Sequence, residues 1–297
     1  PDDIVVYPNH GAGSACGKLM SDETYDSLGH QKEVNYALQD MTKKEFVDKV
    51  LDGLAPPPQY FPKNARLNKA GYDLLDDILA HSHKALSSEH VDNLMLDGAL
   101  VLDTREHTEF QRAFIPGSVN IGLDGNFASW VGTLITDLDR SIILVVEEER
   151  VDEAIIRLSR VGYENVVGYL AGGIKTWEID GYPIEKIDFI TPYMLDKKIR
   201  MGEAVNTVDT RRKSEYDSEH ILGSELLTLD TIDDHLNDLD RDKTYYLYCL
   251  TGYRSASLIS ILRKFGYNNL KNVEGGIEAL KETEIPFSEY VCPTTLL

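Results

Sequence analysis

Positive charge is scarce in this sequence. Thirty Lys and Arg face 50 Asp and Glu, a net charge of -20 with histidine neutral. A partner gripped by its phosphates needs a basic face. No basic cluster or stripe is visible, so neither nucleic acid nor an anionic membrane is an expected partner. Long apolar runs are also missing: no stretch approaches the roughly 18 residues of a membrane-spanning helix. Cysteine is rare. Cys16, Cys249 and Cys292 are odd in number and far apart, which is no disulfide framework. They fit a reducing, cytoplasmic setting with one chemically special thiol. The opening PDDIVVYPNH has neither an initiator Met nor the basic-then-apolar pattern of a signal sequence, so a natural N-terminus further upstream is expected. What remains, 297 residues that are 42% hydrophobic and 27% charged, is ample for about two ordinary cores and excludes wholesale disorder or collagen-like structure.

The chain repeats itself. Val101-Leu102-Asp103-Thr104-Arg105, Glu109-Phe110 and Ile115-Pro116-Gly117-Ser118 are answered by Val208-Asp209-Thr210-Arg211, Glu215-Tyr216 and His220-Ile221-Leu222-Gly223-Ser224. One offset, 106 positions, separates Asp103 from Asp209 and Gly117 from Gly223. Further on, Ile142 to Val146 answers Tyr245 to Tyr248, Gly162-Tyr163 answers Gly266-Tyr267, and Ala171-Gly172-Gly173 answers Glu274-Gly275-Gly276. A period this long implies duplicated domains rather than a solenoid. Each copy alternates short apolar runs of buried-strand type with helical patterns, Ala154-Ile155-Leu158 in one and Ala256-Leu258-Ile259-Leu262 in the other. That order predicts an α/β fold, two parallel sheets with helices on both faces. Outside the repeat, Ile4 to Tyr7 is expected as a strand. Glu33 to Leu38, Lys43 to Leu51 and Asp73 to Leu86 are expected as helices, the last a linker.

The sharpest feature is Cys249-Leu250-Thr251-Gly252-Tyr253-Arg254-Ser255, between an expected strand and an expected helix. A loop wrapped around a helix N-terminus aims unsatisfied N–H groups and the positive dipole end at one spot. A thiol placed there is stabilised as thiolate and becomes nucleophilic. Gly252 allows tight curvature, Arg254 brings fixed charge and a planar donor fork, and Ser255 offers a hydroxyl to the loop. Asp103 with Arg105, and Asp209 with Arg211, are expected to form structural polar networks at strand ends. Trp130 and Trp177 are expected in the core.

The Asp-Thr-Arg, His-Ile-Leu-Gly-Ser, Cys-x4-Arg-Ser and Glu-Gly-Gly series resembles a rhodanese domain, and the first copy resembles a second one. The resemblance implies that Cys249 is catalytic and carries sulfane sulfur as a persulfide. Leu250, Thr251, Gly252, Tyr253, Arg254 and Ser255 would form the substrate cradle, without a cofactor. The implied partners are thiosulfate or a persulfide as donor and a thiol, sulfite or cyanide as acceptor. A homo-oligomer is compatible with the sequence but not specified by it. Glu219 departs from the family, which usually has Gly before His-Ile. Two other readings stand beside this one: a non-catalytic scaffold or binding module, and, ranked behind it, a Cys-dependent phosphatase. Phosphatases of related fold use Cys-x5-Arg, one residue more than here.

In the first copy Val146 stands where Cys249 stands in the second. The following Glu147-Glu148-Glu149 would repel an anionic donor, so this copy is expected to be structural. At the N-terminus, Tyr7-Pro8-Asn9-His10-Gly11-Ala12-Gly13, Asn35-Tyr36-Ala37-Leu38, Pro58-Gln59-Tyr60-Phe61-Pro62 and Leu67-Asn68-Lys69 resemble the C-terminal part of a metallo-β-lactamase-fold persulfide dioxygenase fused to rhodanese repeats. That resemblance implies iron(II) in the complete dioxygenase domain, with His10 beside the metal. The family's His-x-His-x-Asp-His cluster is absent. The expected domains are therefore 1–85, a metallo-β-lactamase-like segment with a linker helix, 86–187, a rhodanese-like domain without its cysteine, and 188–297, a rhodanese domain with it.

Overall fold

Twelve short strands and the helices between them account for most of residues 1–8, 23–51, 61–71 and 73–291, which the computed structural model describes. His10, Cys16 and Cys292 lie outside these residues. The chain divides into two units, Pro1–Pro57 and Pro58–Leu297. Among the described residues, no helix is long and apolar enough to cross a membrane.

The first unit holds β1 (Val5–Val6) paired antiparallel with β2 (Asp26–Ser27). A helix, Leu28–Val34, follows, capped by the Ser27 hydroxyl, which accepts from His30 N–H at 3.2 Å. The expected helix from Glu33 to Leu38 is instead the end of this helix and a separate 3-10 turn, Tyr36–Leu38. Asn35 divides them because its side chain accepts from Ala37 N–H at 3.0 Å and so starts a new turn. Lys43–Leu51 is helical as expected.

The second unit contains two five-stranded, wholly parallel sheets. The first is built from β3 (Ala85–Leu86), β4 (Leu100–Asp103), β5 (Val119–Asn120), β6 (Ile142–Val145) and β7 (Val166–Leu170), in spatial order β3-β7-β6-β4-β5. The second is built from β8 (Asp188–Ile190), β9 (Asn206–Asp209), β10 (Glu225–Leu226), β11 (Tyr245–Tyr248) and β12 (Leu270–Val273), in order β8-β12-β11-β9-β10. The two orders are the same, so the duplication seen in the sequence is a duplication of topology. The helix expected over Asp73 to Leu86 is shorter, Leu75–Ser82, and the chain then becomes β3. Pairing overrides helix propensity there: Lys84 and Leu86 carbonyls accept from Tyr169 and Ala171 N–H groups at 2.9 Å each. β3 passes so close to β7 that a Cβ on Gly168 would lie 2.5 Å from the Lys84 carbonyl oxygen.

Alternation along the strands sorts side chains between layers. In β6, Ile143 and Val145 face one cluster with Trp177, while Ile142 and Leu144 face another. In β11, Tyr246 and Tyr248 face an outer cluster, while Tyr245 and Leu247 join the same cluster as Ile142 and Leu144. One apolar core therefore runs through both repeats, and each sheet has a smaller one on its far side. Trp130 and Trp177 are buried, as expected.

The repeated polar residues make the same bonds twice. Arg105 donates to the Asp103 carboxylate, at 2.6 Å for its closest contact, and on to the Ala113 carbonyl at 2.9 Å. Arg211 does the same with Asp209 and the Glu219 carbonyl, both at 2.6 Å. Burial pushes the Asp103 carboxyl up, opposed by the charge and hydrogen bonds of Arg105. Thr104 and Thr210 tie the end of each strand to its neighbour, donating from N–H to the Val145 and Tyr248 carbonyls at 2.9 Å. The Glu219 departure is absorbed locally, since Glu219 ends a helix in extended conformation and its side chain pairs with Lys281.

Removing one partner of a buried pair leaves the other charge without compensation. Asp103→Ala and Asp209→Ala should each lower stability by about 3–5 kcal/mol, read from urea unfolding. A loss below about 1 kcal/mol, the range of surface ion pairs, would show that these networks carry little.

Candidate active site

Cys249 directly follows β11, and its thiol is buried. The next helix, Tyr253–Lys264, starts from Gly252, whose φ of 108° lies in the left-handed region. That turn points the Gly252 N–H at Cys249 Sγ, 3.1 Å away, and the Ser255 hydroxyl also points at Sγ, at 3.6 Å. Hydrogen bonds offered to the sulfur stabilise negative charge on it. The nucleophile expected from the sequence thus sits in the expected strand-to-helix loop. From inside the helix the single Ser255 hydroxyl proton is shared between the Gly252 carbonyl, at 3.1 Å, and the more distant sulfur.

The Glu274-Gly275-Gly276 motif holds this loop from behind. Ile277 N–H donates to the Cys249 carbonyl at 2.8 Å and Glu278 N–H to that of Leu250 at 3.3 Å. A Cβ on Gly276 would lie 2.5 Å from both carbonyl oxygens. The equivalent Gly173 keeps the left-handed backbone, φ 61°, but a Cβ there would meet nothing within 4 Å. In the first repeat the close packing has gone together with the cysteine. Val146 is core, and the segment after it is a 3-10 turn, Glu148–Arg150. Arg150 grips Asp124 through two bonds of 2.9 Å and Glu153 through one of 2.9 Å.

Cys249 lies at a cavity of about 520 Å³. Leu250, Thr251, Tyr253 and Arg254 line it, while Gly252 and Ser255 act on the sulfur rather than on the wall. The Arg254 fork is already engaged, donating to Glu215 at 2.6 and 2.9 Å. Burial works to raise the Glu215 carboxyl, but the Arg254 hydrogen bond and charge hold it below the usual carboxylate value. An anionic substrate would share Arg254 with Glu215, a pairing the sequence pattern did not disclose.

The sequence also left hidden the other half of the wall, which comes from the repeat without a cysteine: Glu106, His107, Asp124, Asn126 and the edge of Trp130. His107 Nε2 would lie 3.2 Å from a Cβ on Gly252, and its ring meets Tyr253 edge-on at 6.3 Å. Burial holds its imidazole below the usual value against the opposing charge of Glu106, whose Oε2 lies 2.8 Å from Nδ1. Asn272 joins the Gly252 carbonyl at 3.1 Å to Gln111 of the first repeat at 3.0 Å, and Tyr253 donates to the Gly122 carbonyl at 3.1 Å. The only trace of this wall in the sequence is His107 beside the Asp-Thr-Arg motif, where the second copy has no histidine.

The glycine comparison yields a test. Gly173→Ala should cost only the left-handed backbone, about 1–2 kcal/mol. Gly276→Ala should also displace the Cys249 loop and slow sulfur uptake by about tenfold or more, the scale of a lost preorganised donor. Equal rates of uptake from thiosulfate in the two variants would show that Gly276 does not shape the loop.

The rhodanese-like domain family matches this sequence twice, over residues 87–180 and 191–283. Among curated proteins, the chain is 32% identical over 121 residues to the probable adenylyltransferase/sulfurtransferase MoeZ of Mycobacterium tuberculosis, spanning 40% of this chain and 29% of that protein. It is 30% identical over 94 residues to the putative sulfurtransferase YtwF of Bacillus subtilis, 32% of this chain and 90% of that protein. The chain thus spans less than a third of the mycobacterial relative's length. Among solved structures, a rhodanese-like domain protein from Staphylococcus aureus is 31% identical, covering 35% of this chain and all of that one, with a TM-score of 0.32. A metallo-beta-lactamase from the same species is 28% identical, covering 57% of this chain and 45% of that one, with a TM-score of 0.40. With two matched segments that together make up more than half of its length, the chain belongs to the rhodanese-like domain family.

Proposed function

We propose that this protein is a sulfurtransferase that carries sulfane sulfur as a persulfide on Cys249. One observation carries the reading: the sulfur of Cys249 receives the Gly252 N–H and the Ser255 hydroxyl beside a cavity large enough for a small donor. Family membership and relatives named as sulfurtransferases support a sulfur-transfer role. In the step proposed, the Cys249 thiolate attacks the outer sulfur of R–S–SH. A Cys249 S–S bond forms, the donor S–S bond breaks, and R–S⁻ leaves with the electron pair. With thiosulfate the leaving group is sulfite. A thiol, sulfite or cyanide then takes the outer sulfur. Leu250, Thr251, Tyr253 and Arg254 line the path of the substrate.

A non-catalytic scaffold would have no use for a cysteine loop packed this closely. The phosphatase reading needs a general acid near the thiol. Asp124, at the cavity, is held by two hydrogen bonds from Arg150, which keep its carboxyl below the usual value. Four residues between Cys249 and Arg254 suit a sulfur atom better than a phosphoryl group.

The proposal extends to context: a cytoplasmic protein, the C-terminal part of a persulfide dioxygenase–rhodanese fusion acting in sulfide and persulfide detoxification. It rests on the N-terminal resemblance. It is supported by the first unit, where Ile4, Val5, Val6, Phe46 and Val47 are exposed and no described residue is buried, as in a segment that packs on further structure. Iron(II) belongs to the complete dioxygenase domain. Among the described residues no three His, Cys, Asp or Glu side chains converge to hold a metal ion, so these residues do not fit it.

Intact-mass analysis after exposure to thiosulfate or glutathione persulfide tests the central claim. One sulfur atom should be added at Cys249 and removed by cyanide; equal labelling of Cys249→Ser would overturn it. Supplied with glutathione persulfide and iron(II), this chain should consume no oxygen above a protein-free control. Uptake abolished by His10→Ala would show that the N-terminal segment holds a working metal site.

A further inference from the structure

We propose that His107, from the repeat that has no nucleophile, is the general base that deprotonates the acceptor thiol at Cys249. The inference rests on the sulfurtransferase reading and adds to it the class of acceptor, a thiol that reaches the site with its proton. Two observations place the imidazole. It lines the same cavity as Cys249. Its Nε2 faces Gly252, the residue whose N–H is 3.1 Å from the nucleophilic sulfur. A side chain at position 252 would close that approach, since its Cβ would lie 3.2 Å from Nε2.

The charge of Glu106 favours one tautomer. Its Oε2 lies 2.8 Å from His107 Nδ1, although the two do not meet with hydrogen-bond geometry. A carboxylate this near favours the proton on Nδ1 and leaves a free electron pair on Nε2. Glu106 itself is anchored, accepting from Thr108 N–H at 3.0 Å. Burial keeps the imidazole below its usual value, so near neutral pH it is in the form able to accept a proton.

The step balances as follows. The acceptor R–SH gives its proton to Nε2. The resulting R–S⁻ attacks the outer sulfur of Cys249–S–SH. A new S–S bond forms in R–S–SH, the S–S bond to Cys249 breaks, and Cys249 leaves as thiolate toward the Gly252 N–H. The imidazolium then releases its proton to water.

Acceptors without a proton to lose isolate this role. Cys249 is first loaded with thiosulfate and the loading is confirmed by intact mass. Discharge is then timed with free cysteine, with sulfite at mildly alkaline pH, and with a nitro-substituted aromatic thiol already ionised at neutral pH. His107→Gln should slow discharge to cysteine about a hundredfold more than to sulfite or the ionised thiol, the scale of general base catalysis. In His107→Ala, added imidazole should restore discharge to cysteine selectively. Equal slowing with all three acceptors, or none, in variants that load normally would overturn the base role and leave the persulfide reading standing. Failure of the wild-type protein to load would overturn both.

Discussion

The burial of one helix organises the second unit. Every residue of Tyr253–Lys264 from Ser255 to Leu262 is buried, so the helix has no face for solvent and must be covered all round. Its own sheet covers one side. β5 and the helix His107–Arg112 of the first repeat lie against it as well. Small residues allow the close approach: Ser260 Oγ accepts from Asn120 N–H at 3.2 Å across the repeat boundary. Fully burying one aliphatic side chain is worth about 1.5–3 kcal/mol, and Leu258, Ile259 and Leu262 of this helix are wholly inaccessible. A second repeat on its own would return part of that surface to water.

This constraint gives the repeat without a cysteine a part in the cavity beside Cys249. The helix that must be covered is the one whose first turn cradles Cys249. Whatever covers its N-terminal end becomes the wall of the site. The first repeat supplies that wall with His107, Glu106 and Asp124, and it fixes Gly252 through the Gln111–Asn272 link. With Val146 in place of a cysteine, the first repeat has the same backbone plan as the second: the sheet order, the Asp-Arg pair and the Gly-Tyr helix ending are common to both. Tyr163 and Tyr267 each follow a glycine with φ 87°, and each hydroxyl reaches carbonyls of the preceding segment, Val131 and Ile135 in one copy, Leu236 and Leu239 in the other.

The electrostatics of the cavity are mixed rather than basic. Arg254 is matched by Glu215 and Asp124 by Arg150, and Arg212 adds a second cation to the lining. A dianion such as thiosulfate would meet Arg212 and Arg254 there, but also three carboxylates. A thiol, neutral until it loses its proton, meets less repulsion from Glu106, Asp124 and Glu215.

Much of this protein was legible in its sequence, for a local reason. Strand runs, helix patterns and the glycines that end them act within a few residues. The repeat doubled each signal, so the parallel sheets and the Cys249 loop could be located without coordinates. The Asp-Thr-Arg networks were also within reach, because their partners lie two and eight residues apart. Elsewhere the relevant distance was not along the chain. Ala85 and Leu86 became strand because a sheet edge was waiting at Tyr169. Asn35 split a helix because its side chain competed for the backbone. Glu215 took the Arg254 fork from 39 positions away, and His107 faces Gly252 from the other repeat. Residue type and spacing located Cys249 and the loop around it, since a strand-to-helix turn builds both from consecutive residues. Only tertiary packing decided what looks into the cradle, because that wall is whatever surface the buried helix needed to cover it.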